Sequence, residues 1–246
     1  MKYKAFHKLS YGLYIIATEF EGKMAGYIGN TAFQVTSLPA QIAISCHKEN
    51  ATIDGILKSK TFSISVLKKE SETSLIGEFG FMSSNDINKF RNVETITAQS
   101  GAPIVLNSSI AWFDCKVVNS VDTGSHILII GEVLDSDVIS EDVPLTYDYY
   151  REKYKMLAPK NAPTYVESEK LKKEVTLENK VQEEPVSKVE TKSELSTHTC
   201  TICGFQYNEE EGDSSMGITP GTPFEELPED YKCPICNAGK DYFTEG

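Results

Sequence analysis

Four cysteines crowd the last 50 residues as two pairs, Cys200-x2-Cys203 and Cys233-x2-Cys236, with 29 residues between the pairs. Two close thiolate pairs supply a tetrahedral S4 shell, which suits zinc or a single iron. A region of about 50 residues cannot easily build its own core, so a metal there would also fasten the fold. The other two cysteines, Cys46 and Cys115, stand alone upstream and read as small buried apolar residues rather than reactive thiols. Such clustering points to a metal site rather than to a disulfide scaffold. Spacing alone does not choose between iron and zinc, and a dithiol enzyme is a third option.

The chain has 246 residues, 40% hydrophobic and 24% charged, which allows one sizeable soluble domain and one small one. Its net charge of −12 argues against nucleic acid or an anionic membrane as partner, since both would repel it. The opening MKYKAFHKLSYGLY lacks the apolar stretch of a signal peptide, and no apolar run approaches the ~20 residues that span a bilayer. A cytoplasmic protein is expected.

Residues 1–155 read as a mainly β domain. QIAISC (41–46) and TFSISVL (61–67) alternate apolar and polar residues with period two, as half-buried strands do. LYIIAT (13–18), IAWFDCKVV (110–118) and HILIIGEVL (126–134) are further strand candidates. ENATIDGILKS reads as a short helix opened by Asn50 or Thr52, and SETSLIGEF (71–79) as a second. Many strands with short helical excursions predict a barrel. Residues 156–196 read as an extension and linker. From Glu167 to Thr197 the chain is rich in lysine and glutamate, lacks aromatic residues and contains Pro185, so it buries too little to offset its ordering entropy. As a coil those residues would span roughly 30 Å. Residues 197–246 form the small unit; its ten acidic side chains and two lysines give 2 − 10 = −8. That asymmetry suits docking to a basic surface, or serves solubility alone.

The residues around the cysteines choose the metal. CTICGFQYNEEEGD and PGTPFEELPEDYKCPICNAGKDYF closely resemble rubredoxin over 198–246, in the Cys-Gly-aromatic step, the PGTPF run (Pro220 to Phe224) and the closing Lys240 and Phe243. The resemblance implies one iron held by Cys200, Cys203, Cys233 and Cys236, cycling Fe(III)/Fe(II), with Tyr207, Phe224, Tyr231 and Phe243 as an aromatic core. Tyr231 stands where the family usually has tryptophan, which predicts a less tightly packed core. His198 stands where it usually has tyrosine, and reads as a surface residue at the domain edge rather than a ligand.

The upstream domain resembles the flavin reductase-like, FMN-binding split-barrel family. GNTAFQVTSLPAQIAISCHKENATIDGILKSKTFSISVL (29–67), FGFMSSNDINKF (79–90) and GSHILIIGEV (124–133) carry the likeness. It implies FMN, with Asn30, Thr31, Thr36 and the backbone near Cys46 along the ring system. Lys48, Asn50 and Thr52 would hold the phosphate, where a cation, hydroxyls and a helix start converge, and Ser83 and Ser84 would approach from another side. Serine and threonine at turns also commonly satisfy local backbone. His126 would lie near the flavin and the nicotinamide, although Ser125 replaces the family's usual acidic neighbour. No GxGxxG fingerprint is present, which is compatible with NAD(P)H bound directly over the flavin.

The domain order resembles that of the high-molecular-weight rubredoxins, a flavin reductase followed by a rubredoxin. It implies hydride from NAD(P)H to FMN, single electrons to the iron, and delivery to an acceptor such as a flavodiiron protein that reduces O2 or NO. A homodimer through the flavin domain is implied as well. The competing readings are a reductase that releases reduced flavin, a passive flavin and iron shuttle without NAD(P)H activity, and a zinc-ribbon interaction module on a degenerate barrel.

Overall fold

The structure, a computed structural model, describes residues 2–154, 162–164 and 196–245. The expected linker lies almost wholly outside the described residues. Seven strands form one sheet: β1 (Tyr14–Phe20), β2 (Lys23–Gly29), β3 (Ala32–Ser37), β4 (Ala40–His47), β5 (Thr61–Leu67), β8 (Ser109–Asp122) and β9 (His126–Val138). Their order is β2-β1-β5-β8-β9-β4-β3, and every pairing is antiparallel. The two edge strands, β2 and β3, are joined by Asn30 and Thr31 alone. A link that short holds the two edges together, so the sheet must curl into a barrel split along that seam.

The strands show why their sequences read as they do. In β1, Ile16 faces the barrel interior with Ile44, Phe62 and Ile64. Its neighbours Ile15 and Ala17 face a second cluster with Leu67, Leu75 and Phe79. Both faces are buried, so LYIIAT is continuously apolar rather than alternating. β5 does alternate, yet its polar face is not wet: Ser63 and Ser65 are fully buried. A hairpin of β6 (Thr95–Thr97) and β7 (Pro103–Val105) covers them. Ser63 donates to the Pro103 carbonyl at 2.5 Å, and Ser65 accepts from the Val105 N–H at 3.1 Å. The half-buried expectation for TFSISVL is therefore corrected, because each buried hydroxyl has found a backbone partner.

Helix α1 (Ile53–Ser59) starts at Thr52, whose side chain makes no cap hydrogen bond; Asn50 Oδ1 takes the Thr52 N–H instead, at 2.9 Å. Helix α2 (Thr73–Phe81) buries Leu75, Ile76 and Phe79. Gly77 in its interior costs roughly 0.5–1 kcal/mol against alanine. Helix α3 (Tyr147–Tyr154) carries Tyr147 and Tyr150 into the same cluster.

The small unit is a three-stranded sheet ordered β11-β10-β12, from β10 (Thr197–Cys200), β11 (Gln206–Asn208) and β12 (Phe243–Glu245). Tyr207, Phe224, Tyr231 and Phe243 interlock with ring centroids 5.2–6.0 Å apart. Tyr231, where the family usually has tryptophan, is buried and donates to Asp213 Oδ2 at 3.0 Å. One apolar cluster runs without a break from Leu75, Ile76 and Phe79 of α2 to Ile235 and the four clustered cysteines.

Candidate metal centre and flavin cleft

The two cysteine pairs sit on loops that repeat one another, CTICGF and CPICNA. In the first, the Cys200 N–H donates to the Phe205 carbonyl and the Gly204 N–H to the Cys200 carbonyl, both at 2.8 Å. In the second, the Cys233 N–H donates to the Ala238 carbonyl at 2.8 Å and the Asn237 N–H to the Cys233 carbonyl at 2.9 Å. Both loops turn through a left-handed residue, Gly204 at φ 78 and Asn237 at φ 60, the two residue types that visit this region most readily. The turn aims further N–H groups at sulfur: Cys203 to Cys200, Cys236 to Cys233, and Ala238 to Cys236.

The four sulfurs lie within 4.8 Å of one another and their residues are buried. Cys200 and Cys236 Sγ are 3.7 Å apart, and Cys203 and Cys233 Sγ 3.4 Å. A disulfide needs about 2.05 Å, whereas metal–sulfur bonds of ~2.3 Å give tetrahedral edges of about 3.8 Å. The residues therefore fit a four-thiolate metal. Hydrogen bonding to Cys200 first, then to Cys233 and Cys236, pushes the Cys203 thiol upward, while the Cys203 bond pulls Cys200 down. Four adjacent thiols do not ionise together unaided, and a cation resolves the conflict.

His198 is no surface residue. It is buried, stacked on Phe224 at 4.1 Å and 9°, with Nδ1 3.8 Å from Glu209 Oε1. Glu209 accepts from the N–H of Phe224 at 2.8 Å and of Ser196 at 2.9 Å, which holds this corner together. The ring fills the place expected for tyrosine by packing, and it stands outside the sulfur cluster.

In the barrel domain two clefts of about 340 and 330 Å³ share Glu49, Asn50 and Ala51 as a common wall. Lys48 lines the first; Ser83, Ser84 and Lys89 line the second, together with Ile202 from between the first two cysteines. Lys48 forms a 2.7 Å ion pair with Asp122, both partly exposed, so it can exchange partners at little cost. Thr52, next in sequence to the shared wall, lines neither cleft, and its buried Oγ1 has no hydrogen-bond partner among the described residues. The polar lining of the two clefts, Lys48 and Asn50 in the first and Ser83, Ser84 and Lys89 in the second, fits an anionic ligand that carries oxygens. Ser84 is partly committed, donating to the Gly26 carbonyl and accepting its N–H, each at 3.2 Å.

Other expected contacts lie elsewhere. Asn30 and Thr31 occupy the barrel seam, where Asn30 Nδ2 donates to Thr164 Oγ1 at 2.8 Å and Thr31 to Asn30 Oδ1 at 3.2 Å. Thr36 lies on the edge strand β3 and lines neither cleft. The Cys46 side chain points into the barrel core, where burial raises its thiol to about 12, so only its backbone can face a ligand. His126 is nearly buried, bonded through Nδ1 to Ser125 Oγ at 2.8 Å, and meets the His47 ring edge-on at 4.8 Å.

Sequence reading missed Lys89. Its Nζ donates to the carbonyls of Gly26 and Phe79, at 2.9 and 3.1 Å, and lies 5.6 Å from the Phe79 ring centroid. Burial lowers it to about 8, against the raising influence of Glu78. A lysine in NDINKF looks like a solvated loop residue; nothing in the local pattern shows that the loop folds it inward.

Comparison with known proteins identifies both domains. The flavin reductase like domain family matches residues 6–158, and the rubredoxin family residues 197–243. The high molecular weight rubredoxin of Moorella thermoacetica is 38% identical over 247 residues, covering 100% of both chains. The ferric-chelate reductase (NAD(P)H) of Archaeoglobus fulgidus is 42% identical over 168 residues, 68% of this chain and 99% of that one. Among solved structures, flavin reductase PheA2 in its native state aligns with a TM-score of 0.51 at 27% identity, over 59% of this chain and 93% of that one. The chain belongs to the flavin reductase-like family and, with its C-terminal rubredoxin domain, is a homologue of high molecular weight rubredoxin: an oxidoreductase that joins a flavin-binding barrel to a four-cysteine iron site for electron transfer.

Proposed function

We propose that this protein takes electrons from NAD(P)H through FMN to its own rubredoxin iron, and from there to a protein acceptor. One observation carries the reading: Ile202, between two of the iron ligands, lines the same cleft as Asn50, Ser83, Ser84 and Lys89. When bound, FMN supplies the exchange between a two-electron hydride and single electrons, and the iron supplies a one-electron store. Lys48, Asn50 and Thr52 hold the phosphate, with Ser83, Ser84 and the buried ammonium of Lys89 on the facing wall. The Cys46 backbone borders the ring system and His126 stands towards the nicotinamide, while Asn30, Thr31 and Thr36 lie outside the two clefts and reach a flavin only if its ring extends past the barrel seam. NAD(P)H as donor is supported by the Archaeoglobus relative, itself named for it.

The N–H groups aimed at the iron-ligand sulfurs favour the thiolates and set the potential. The acceptor is a flavodiiron protein or a similar redox partner with a basic face, matched to the −8 charge of residues 197–246. A second copy covers the apolar groove of about 430 Å³ lined by Phe33, Ile42, Phe113 and Val133, beside the exposed Leu38. The six cysteines, none in a disulfide, are in keeping with a cytoplasmic protein. The domains divide as 1–155, 156–196 and 197–246.

Anaerobic addition of NADH or NADPH to the holoprotein tests the route. The flavin band and then the iron–thiolate bands bleach if it is right. If neither NADH nor NADPH bleaches the flavin, a passive shuttle remains, and dissociation of reduced flavin without iron reduction makes the protein a flavin supplier.

A further inference from the structure

Gly77 is an unfavourable residue for the middle of α2, and the flavin-domain core alone does not ask for it. A Cβ built there would overlap the carbonyl oxygen of Ile235 and come within 3.5 Å of the Cα of Cys236. Both residues belong to the second cysteine loop of the rubredoxin domain. Ile235 is itself buried, while its counterpart in the first loop, Ile202, is half exposed at the cleft. The pseudo-symmetric loops are thus used differently: one lies backbone to backbone on α2, the other borders the proposed flavin site.

We propose that the face of α2 around Gly77 is the docking platform through which this chain's flavin domain delivers electrons to an iron site, with Gly77 as the positioning residue that permits contact. Three independent features support it. The close approach is possible only without a side chain at 77. The apolar cluster is continuous across the junction, through Leu75, Ile76, Ile235 and Cys236. The same helix runs on into the cleft, which Phe79, Gly80 and Phe81 line, and the Phe79 carbonyl accepts from the cleft-lining Lys89. Electron tunnelling falls steeply with distance, so a helix that admits a ligand cysteine's own loop shortens the path as far as packing allows. The electron balance is one electron from the reduced flavin and one Fe(III) to Fe(II) per event, with the hydride donor as the source.

This inference rests on the flavin-to-iron route proposed above, and its test separates the two. Gly77→Ala adds a methyl group and improves helix propensity, so the flavin domain is expected to hold or gain stability. With the full-length holoprotein, flavin bleaching by NAD(P)H should stay within about twofold of the parent, while bleaching of the iron–thiolate bands slows on the order of tenfold to a hundredfold. Ser74→Ala, on the exposed face of the same helix, should change neither rate. Hydrogen exchange at the α2 amides should rise in Gly77→Ala and not in Ser74→Ala. Photoreducing the flavin directly bypasses the nicotinamide step, so the iron rate stays measurable even if NAD(P)H is not the donor. An unchanged iron rate in Gly77→Ala, equal slowing in both variants, or no iron reduction by photoreduced flavin in the parent overturns the proposal.

Discussion

The iron site and the flavin cleft are built in opposite ways. The iron site takes its four ligands from two short loops with nearly the same hydrogen bonds. The cleft gathers side chains from the β4–α1 connection, the loop after α2 and a neighbouring domain. The first can be assembled by local turns and a metal alone. The second exists only once the barrel has closed and α2 has docked. Damage to the barrel should therefore abolish the cleft, whereas damage to the iron site should reach it only through Ile202 and the contact on α2.

The sharpest break is Cys233→Ser. Removing one thiolate should abolish iron retention and onward transfer while NAD(P)H–flavin chemistry survives; metal analysis and the flavin band read the two halves separately. Lys89→Met comes next. The folded state depresses the lysine from 10.5 to about 8, so the unfolded chain binds the extra proton between those values. Stability contributed by this group is therefore full above about 10.5 and falls as pH drops through about 8. The parent-minus-variant stability should rise across that alkaline window by on the order of 3 kcal/mol at most, in denaturant titrations at each pH.

A smaller effect, and one of mixed sign, is expected at Thr52. Thr52→Val removes an orphaned buried hydroxyl, so the flavin-free protein should gain about 1 kcal/mol while FMN affinity falls about tenfold. Fluorescence titration checks the affinity, and loss of both quantities together would mean the hydroxyl serves only the fold. Smallest are the turn residues of the iron loops. Gly204→Ala forces a Cβ into the left-handed region and should cost about 1 kcal/mol. Asn237→Gly relaxes the matching position and should gain a few tenths, measured as iron-release rates in chelator.

The same contrast explains what could be read from sequence. The cysteines, PGTPF and the aromatic positions announced the iron domain because its determinants are adjacent in the chain. The five strands and two helices expected in the barrel are present at β1, β4, β5, β8, β9, α1 and α2. What escaped was set by tertiary packing. NTAFQVTS is itself largely the edge strand β3, its polar side chains suiting an exposed edge. The serines of β5 are buried because a later hairpin covers them. His198 lies inside because Phe224, 26 positions on, offers a ring to stack upon. Lys89 turns inward because two carbonyls, Gly26 and Phe79, wait there. None of these partners is visible in the local pattern, and Gly77 acquires a reason only from a residue 158 positions away.

The central claim is that electrons cross from flavin to iron inside one assembly. The direct test is the rate of iron–thiolate bleaching after the flavin is reduced, measured anaerobically over a wide range of protein concentration. A tethered, docked transfer predicts a first-order rate that does not change on dilution. A rate that scales with protein concentration would mean that the two sites meet only by collision between separate molecules, and would contradict the account.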